Sequence, residues 1–196
     1  MGRFMNGAPA SLPVWALRDL SFSVERGDCL GVVGPNGCGK STLLKLIAGI
    51  MEPTEGTLRV EGRASAFLSL GAALQPDLGV RDNVEIGGIL MGLRRREILA
   101  RTEAILDFAG ATALAEVRLG ELSTGQAARV AFSTMIHADL DLLLVDEALA
   151  VGDSAFQAKC LEAFGKLRKE GKTLVVASHD EGLLDALGAR RLRLGA

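Results

Sequence analysis

Residues 34–41 read Gly34-Pro35-Asn36-Gly37-Cys38-Gly39-Lys40-Ser41, with Thr42 following, and few sequence features restrict a fold as tightly. The run ahead of them, Asp28 to Val33, is apolar and ends at Gly34, so it reads as a buried strand. The run behind, Ser41 to Ile50, sets Leu43, Leu44, Ile47 and Ile50 on one face of a helix. Strand, glycine-rich turn and helix in that order make a cradle for phosphate. Glycines let the chain wrap closely, so that backbone N–H groups point inward at phosphate oxygens. The helix adds its positive N-terminal end. The spacing is that of a P-loop: Lys40 would reach the β- and γ-phosphates of ATP, and the Ser41 hydroxyl would ligate Mg²⁺. The bland alternative, a flexible glycine turn before a helix, lacks support from this context.

Far downstream, Leu140 to Val145 is a nearly continuous apolar strand that ends in two acids, Asp146 and Glu147. On its own such a strand end is often mere solvation. Beside a phosphate cradle, Asp146 is placed to hold Mg²⁺ through water and Glu147 to polarise an attacking water. Gly56–Val60 and Ala64–Leu70 read as further strands, and Thr173–Ala177 as a buried one. Helices are expected at Arg94–Ala109, Val151–Glu170 and Glu181–Leu187, with helical character from Val80 to His137. Apolar strands without polar alternation, separated by helices, imply a mostly parallel sheet covered on both faces.

At 196 residues the chain suits one globular domain. A formal net charge of −2 argues against an overall field that recruits nucleic acid or anionic lipid. Arg94-Arg95-Arg96 and the tail arginines Arg190, Arg191 and Arg193 read as solvated clusters. Cys29, Cys38 and Cys160 are odd in number and widely spaced, which argues against a disulfide framework or zinc site and for a reducing compartment. No apolar run reaches the ~20 residues that cross a bilayer, and Met1 to Pro13 lacks the apolar stretch of a signal peptide. The expected location is cytoplasmic, and any task at a membrane would need another chain.

Between cradle and acids stands Leu122-Ser123-Thr124-Gly125-Gln126, followed by Arg129. Beyond the acids come Ala150-Val151-Gly152-Asp153 and Ser178-His179-Asp180. In order and spacing these motifs resemble the signature, D-loop and switch-histidine motifs of ABC ATPases, across nearly the whole chain. Leu68 to Ala72 running through Pro76 to Arg81-Asp82-Asn83, Asp146 to Asp153, and Phe156 to Cys160 resemble more closely the ATPase subunits that export polysaccharides, O-antigen, capsule and teichoic acid.

The resemblance implies an α/β P-loop NTPase core with an inserted α-helical subdomain and a small N-terminal β part. The core would comprise 14–71 and 138–196, and the subdomain about 72–137. It implies an ATP-sandwich homodimer in which Lys40, Ser41, Asp146, Glu147 and His179 of one subunit face Ser123, Gly125 and Gln126 of the other. An integral-membrane permease would be the partner, and the chain would lie on the inner face of the membrane through it. Asp153 would join the dimer contact or simply cap a helix, and His137 reads as structural. Three departures stand out. Thr124 replaces a usual glycine. No Gln occupies the position near Leu70 or Gly71 that commonly contacts Mg²⁺, and Gln75 lies displaced. The adenine-stacking aromatic would be Trp15 or Phe4, neither at the usual spacing, and core packing is an equal reading for Trp15. The C-terminal sugar-binding domain of some exporters is not expected in a chain that ends at Ala196. Rival readings are a non-transport ABC ATPase, a P-loop kinase with an acceptor other than water, and a regulatory module that grips ATP without turnover.

Overall fold

The computed structural model describes residues 15–64, 74–146 and 152–195. The expected apolar strands form: β1 (Cys29–Val33), β2 (Leu142–Asp146) and β3 (Thr173–Ala177), joined by β4 (Arg190–Arg193). The sheet order is β2-β3-β1-β4, and every pairing is parallel. Helices connect the strands: α1 (Lys40–Ile47), α2 (Val80–Leu90), α3 (Arg95–Ala109), α4 (Thr124–His137), α5 (Ser154–Lys169) and α6 (Glu181–Ala186).

Strand periodicity divides the core in two, because successive side chains point to opposite faces. Leu30, Val32, Leu142, Leu144, Val175 and Ala177 pack with Leu43, Leu44 and Ile47 of α1 on one face. Cys29, Val33, Leu143, Val145, Leu174 and Val176 pack on the other, in a larger cluster that takes in the helices from α2 to α5. Burying both faces is why these strands are apolar through their interiors instead of alternating, with polar residues only at Asp146 and Thr173 on their ends. In the larger cluster, Phe132 of α4 meets Phe156 and Phe164 of α5 edge-on, with ring centroids 6.0 and 5.6 Å apart. Phe108 of α3 meets Phe156 at 5.8 Å. Aromatic edges therefore lock the helical layer onto α5.

Some expectations change. Gly56–Val60 pairs with no strand among the described residues, and Leu58 and Val60 stay exposed. An alternating pattern favours extended backbone, but a ladder needs a neighbour that the pattern cannot supply. Ala64 makes a parallel bridge with Leu142, whereas 65–70 lie outside the described residues. The tail arginines stay at the surface, Arg190 and Arg193 exposed, but they also form β4 beside β1, a strand not expected from the sequence. Arg191 anchors to Glu181 and Asp185 of α6 at 2.8 and 2.6 Å, and Arg190 reaches the Ser23 carbonyl. Charge hid this strand, because long arginine stems can cover a sheet edge while their heads find carboxylates.

Candidate nucleotide site

The turn after β1 wraps a buried lysine. Lys40 opens α1 and is 6% exposed, and its Nζ donates to the Gly34 and Pro35 carbonyls at 2.9 and 3.1 Å. A buried ammonium is costly unless its protons are taken, so the fold holds this charge inside the curve of the loop. Gly39 caps α1 at φ 101°, a left-handed conformation; a Cβ there would lie 2.6 Å from the Ala16 carbonyl oxygen. A Cβ at Gly37 (φ 79°) would meet nothing within 4 Å, so that side of the loop is open. Pro35, Asn36, Gly37 and Ser41 are exposed, while Gly34, Cys38, Gly39 and Thr42 are half-buried. The α1 N-terminus thus presents backbone N–H groups and a hydroxyl at an open edge.

Two neighbouring strands deliver the other groups to the same edge. Asp146 pairs in register with Ala177, and Ala177 pairs with Val32 on its other side. Asp146 therefore sits two strand spacings, roughly 10 Å, from the strand that enters the glycine loop. Glu147 lies outside the described residues. Past Ala177 the chain turns on Ser178, which is buried; its N–H donates to the Val32 carbonyl at 3.3 Å and its Oγ accepts from Asp180 N–H at 3.0 Å. Asp180 then caps α6 by accepting from Leu183 N–H at 3.0 Å. His179 is carried exposed at the crest of this turn. Loop, carboxylate and histidine all stand at the carboxyl ends of parallel strands, where open α/β sheets bind ligands.

Ser123 and Gln126 form a reciprocal cap at the start of α4: Ser123 Oγ accepts from Gln126 N–H at 3.2 Å, and Gln126 Oε1 accepts from Ser123 N–H at 2.9 Å. Both are exposed, as are Thr124 and Gly125, beside which a Cβ would meet nothing within 4 Å. Asp153 caps α5, its Oδ1 accepting from Phe156 N–H at 2.9 Å, while Oδ2 pairs with Arg129 at 2.9 Å. These contacts, the Phe156 N–H foremost, hold its carboxyl below the usual range. His137 keeps to α4: its Nδ1 is 2.8 Å from the Ser133 carbonyl and its ring meets Phe108 edge-on.

Trp15 is 48% exposed, so it is not core packing. Its neighbours Ala16 and Leu17 lie against Gly39, which brings the indole's stretch of chain beside the loop. Phe4, Leu70 and Gly71 lie outside the described residues. Gln75 is exposed and bound through its backbone to Asn83, which is 3% exposed: Asn83 Oδ1 accepts from Gln75 N–H at 2.7 Å, and Nδ2 faces the Gln75, Leu78 and Gly79 carbonyls at 3.0, 3.3 and 2.9 Å. Sequence reasoning missed this role. Its signal was an amide set three residues after Val80, in the apolar stripe of α2.

Burial pushes the Cys29 thiol up to about 11 and the Cys160 thiol up to about 12; Cys38 is half-buried in the loop. No three His, Cys, Asp or Glu side chains cluster to hold a metal among the described residues. A cation at Ser41 and Asp146 would meet hard oxygen donors but too few of them. That suits Mg²⁺, which takes one or two protein ligands and completes its shell with phosphate and water.

A parallel sheet with a lysine-bearing glycine loop after one strand and a carboxylate ending another defines a P-loop nucleotide-binding domain of the α/β class. Comparison with known proteins narrows this. The family model described as ABC transporter matches residues 17–150, and the chain belongs to that family. It is 40% identical over 84% of its length to the O-antigen export system ATP-binding protein RfbB of Klebsiella pneumoniae, spanning 67% of that protein. It is 36% identical over 90% of its length to the teichoic acids export ATP-binding protein TagH of Lactiplantibacillus plantarum, spanning 49% of it. Among the four most similar curated relatives the matched share ranges from 39% to 67% of their length. A solved dimeric ATP-binding cassette in a post-hydrolysis state, bound to ADP and Pi, superposes with a TM-score of 0.80 at 26% identity, covering 92% of this chain and 87% of that one.

Proposed function

We propose that the chain is the ATP-hydrolysing subunit of an exporter, powering passage of a polysaccharide or lipid-linked glycan or polyol phosphate through a separate permease. The observation that carries this reading is Lys40, buried at the head of α1 and bridging Gly34 and Pro35 across the loop. Those carbonyls hold an ammonium at the place where β- and γ-phosphate oxygens would compete for it. The export role follows the names of the relatives, O-antigen export for RfbB and teichoic acid export for TagH. No helix among the described residues is long and apolar enough to cross a membrane; in this reading the permease is a separate chain.

Phosphoryl transfer to water needs positioning and charge neutralisation more than covalent chemistry. The loop N–H groups from Gly34 to Thr42, Pro35 excepted, and Lys40 hold the triphosphate. Of the two aromatic candidates for the base, Trp15 and Phe4, Trp15 is the one among the described residues and is exposed beside the loop. Ser41 and Asp146 would hold Mg²⁺, which would supply neutralising charge at the β- and γ-phosphates. Glu147 polarises the water, and His179 contacts the γ-phosphate from the β3 end. A second copy supplies Ser123, Gly125 and Gln126: because Ser123 Oγ already accepts the Gln126 N–H, its own proton is left to donate outward. ATP thus joins two copies and hydrolysis parts them, shifting the dimer equilibrium by differential affinity. The segments 14–71 and 138–196 act as the nucleotide core and about 72–137 as the lever toward the permease.

Phosphate release from Mg-ATP by the purified chain, alone and with its permease, tests the reading. Lys40→Ala should abolish nucleotide binding and release together. Glu147→Gln should keep binding and cut turnover by at least ~10²-fold, the usual order for a positioned catalytic group. Undiminished release by either variant overturns the assignment.

A further inference from the structure

We propose that Arg129 is a positioning residue that ties the Ser123 end of α4 to Gly152 and Asp153 at the head of α5, so that the two move as one. Arg129 lies in the second turn of α4, six residues past Ser123. Its guanidinium leaves α4 altogether. One terminal nitrogen pairs with Asp153 Oδ2 at 2.9 Å, and the plane lies over the Phe156 ring with Cζ 5.2 Å from the centroid. The third contact is steric. Gly152 holds φ 83°, and a Cβ on it would sit 2.9 Å from Arg129 Nε and 3.1 Å from Phe156 Cβ. Backbone, guanidinium and ring are stacked with no space for a methyl group between them.

The arrangement costs something that a surface ion pair would not. Arg129 Nε is buried and has no hydrogen-bond partner among the described residues. A buried N–H left unpaired is unfavourable, and a freely solvated arginine would have avoided it. The side chain is therefore held there by its other contacts, the Asp153 carboxylate and the Phe156 face. Asp153 is committed on both oxygens, one to Arg129 and one to the α5 cap. In this arrangement its carboxylate anchors Arg129 while it caps α5. In sequence, β2 ends at Asp146 six residues before Gly152, and α4 presents Ser123 less than two turns ahead of Arg129. Any shift of α4 against the sheet must drag Gly152 and Asp153 or break their pair with Arg129.

The inference rests on the ATPase reading and deepens it. Steady-state phosphate release separates the two. If the wild-type chain, with or without its permease, releases no phosphate from ATP, the reading itself fails. If it does, Arg129→Ala should lower kcat about tenfold, within the range seen for residues that carry coupling between sites, with KM for ATP changed less than twofold. Asp153→Asn keeps the α5 cap but loses the ionic partner, and should give the same kcat loss. The Arg129→Ala/Asp153→Asn double variant should be no slower than the slower single one, since both remove one link. Arg129→Lys should recover part of the loss. A kcat within twofold of wild type in Asp153→Asn, additive losses in the double variant, or a loss that appears as raised KM would overturn the role. If Arg129→Ala does not fold, Asp153→Asn and Arg129→Lys carry the test.

Discussion

Ser123 and Gln126 satisfy each other's backbone N–H groups at the head of α4, Oγ accepting at 3.2 Å and Oε1 at 2.9 Å. In the proposed function this serine has a second job beside the cap, as an outward hydroxyl donor, and substitutions can separate the two. Ser123→Ala loses the cap, about 1 kcal/mol, or roughly 2–4 °C in Tm for a chain of this size. Ser123→Asp restores the cap but sets a carboxylate toward phosphate. Its Tm should match wild type while phosphate release falls at least about tenfold, as for the loss of one charge-stabilising donor. Full activity in Ser123→Asp would make Ser123 a cap and nothing more.

The three thiols should react very unequally. Cys29 and Cys160 are buried, and burial raises them to about 11 and about 12. The thiolate is the reactive form. Cys38 is half-buried in the glycine loop, at the open edge of the candidate site. Mass spectrometry after brief maleimide treatment near neutral pH should find one adduct, on Cys38, and three after denaturation. Mg-ATP should suppress the native adduct. Labelling of Cys38 that ignores nucleotide would place the triphosphate elsewhere.

The contrast among strands shows what was legible. The interiors of β1, β2 and β3 are apolar because both faces are covered, and the glycine loop follows β1 directly, so local pattern sufficed. β4 was not legible: Arg190, Arg191 and Arg193 mask the apolar Leu192, and the strand forms by parallel pairing with β1, while Glu181, Asp185 and the Ser23 carbonyl take the arginine heads. The same limit applies at the site. Lys40 announced itself by spacing, and Asp153 as a helix cap by its place before α5. That Asp153 also holds Arg129, 24 residues earlier, depends on packing between helices and is written in no local pattern.

Acid should unfold the protein partly through the start of β2. Asp139 lies 3.0 Å from Lys172 and 2.8 Å from Arg63, and these partners, the Lys172 hydrogen bond foremost, hold its carboxyl below the usual range. Asp141 is lowered chiefly by accepting the Arg63 N–H at 2.9 Å. A depressed native pKa means the unfolded chain takes up protons first as pH falls. The stabilisation is therefore full above the ordinary aspartate value of about 3.9 and is lost as pH drops through the lower native values. Thermal melts from pH 7 to pH 3 should show Asp139→Asn/Asp141→Asn melting below wild type at neutral pH, with the two curves converging toward pH 3. Because these pairs are exposed, 1 M salt should narrow the neutral gap as well. Curves that stay parallel down to pH 3 would remove the two carboxylates from the acid response.

Asn83 offers the sharpest test of how the helical layer is joined to the rest of the chain. Its amide is buried and takes one N–H while facing three carbonyls of 75–79, the turn that leads into α2. Asparagine is the residue that can do this, because its one terminus accepts and the other donates twice. Asn83→Ala leaves those backbone groups to find other partners, at about 1–3 kcal/mol for a buried unsatisfied polar group. Asn83→Asp is nearly the same size and still accepts from Gln75 N–H, but it replaces the donor with an oxygen facing carbonyl oxygens. Aspartate should therefore be worse than alanine, with a lower midpoint in urea and faster proteolysis within 74–79. Loss of stability in the opposite order would mean that volume, and not the direction of the hydrogen bonds, is what Asn83 contributes.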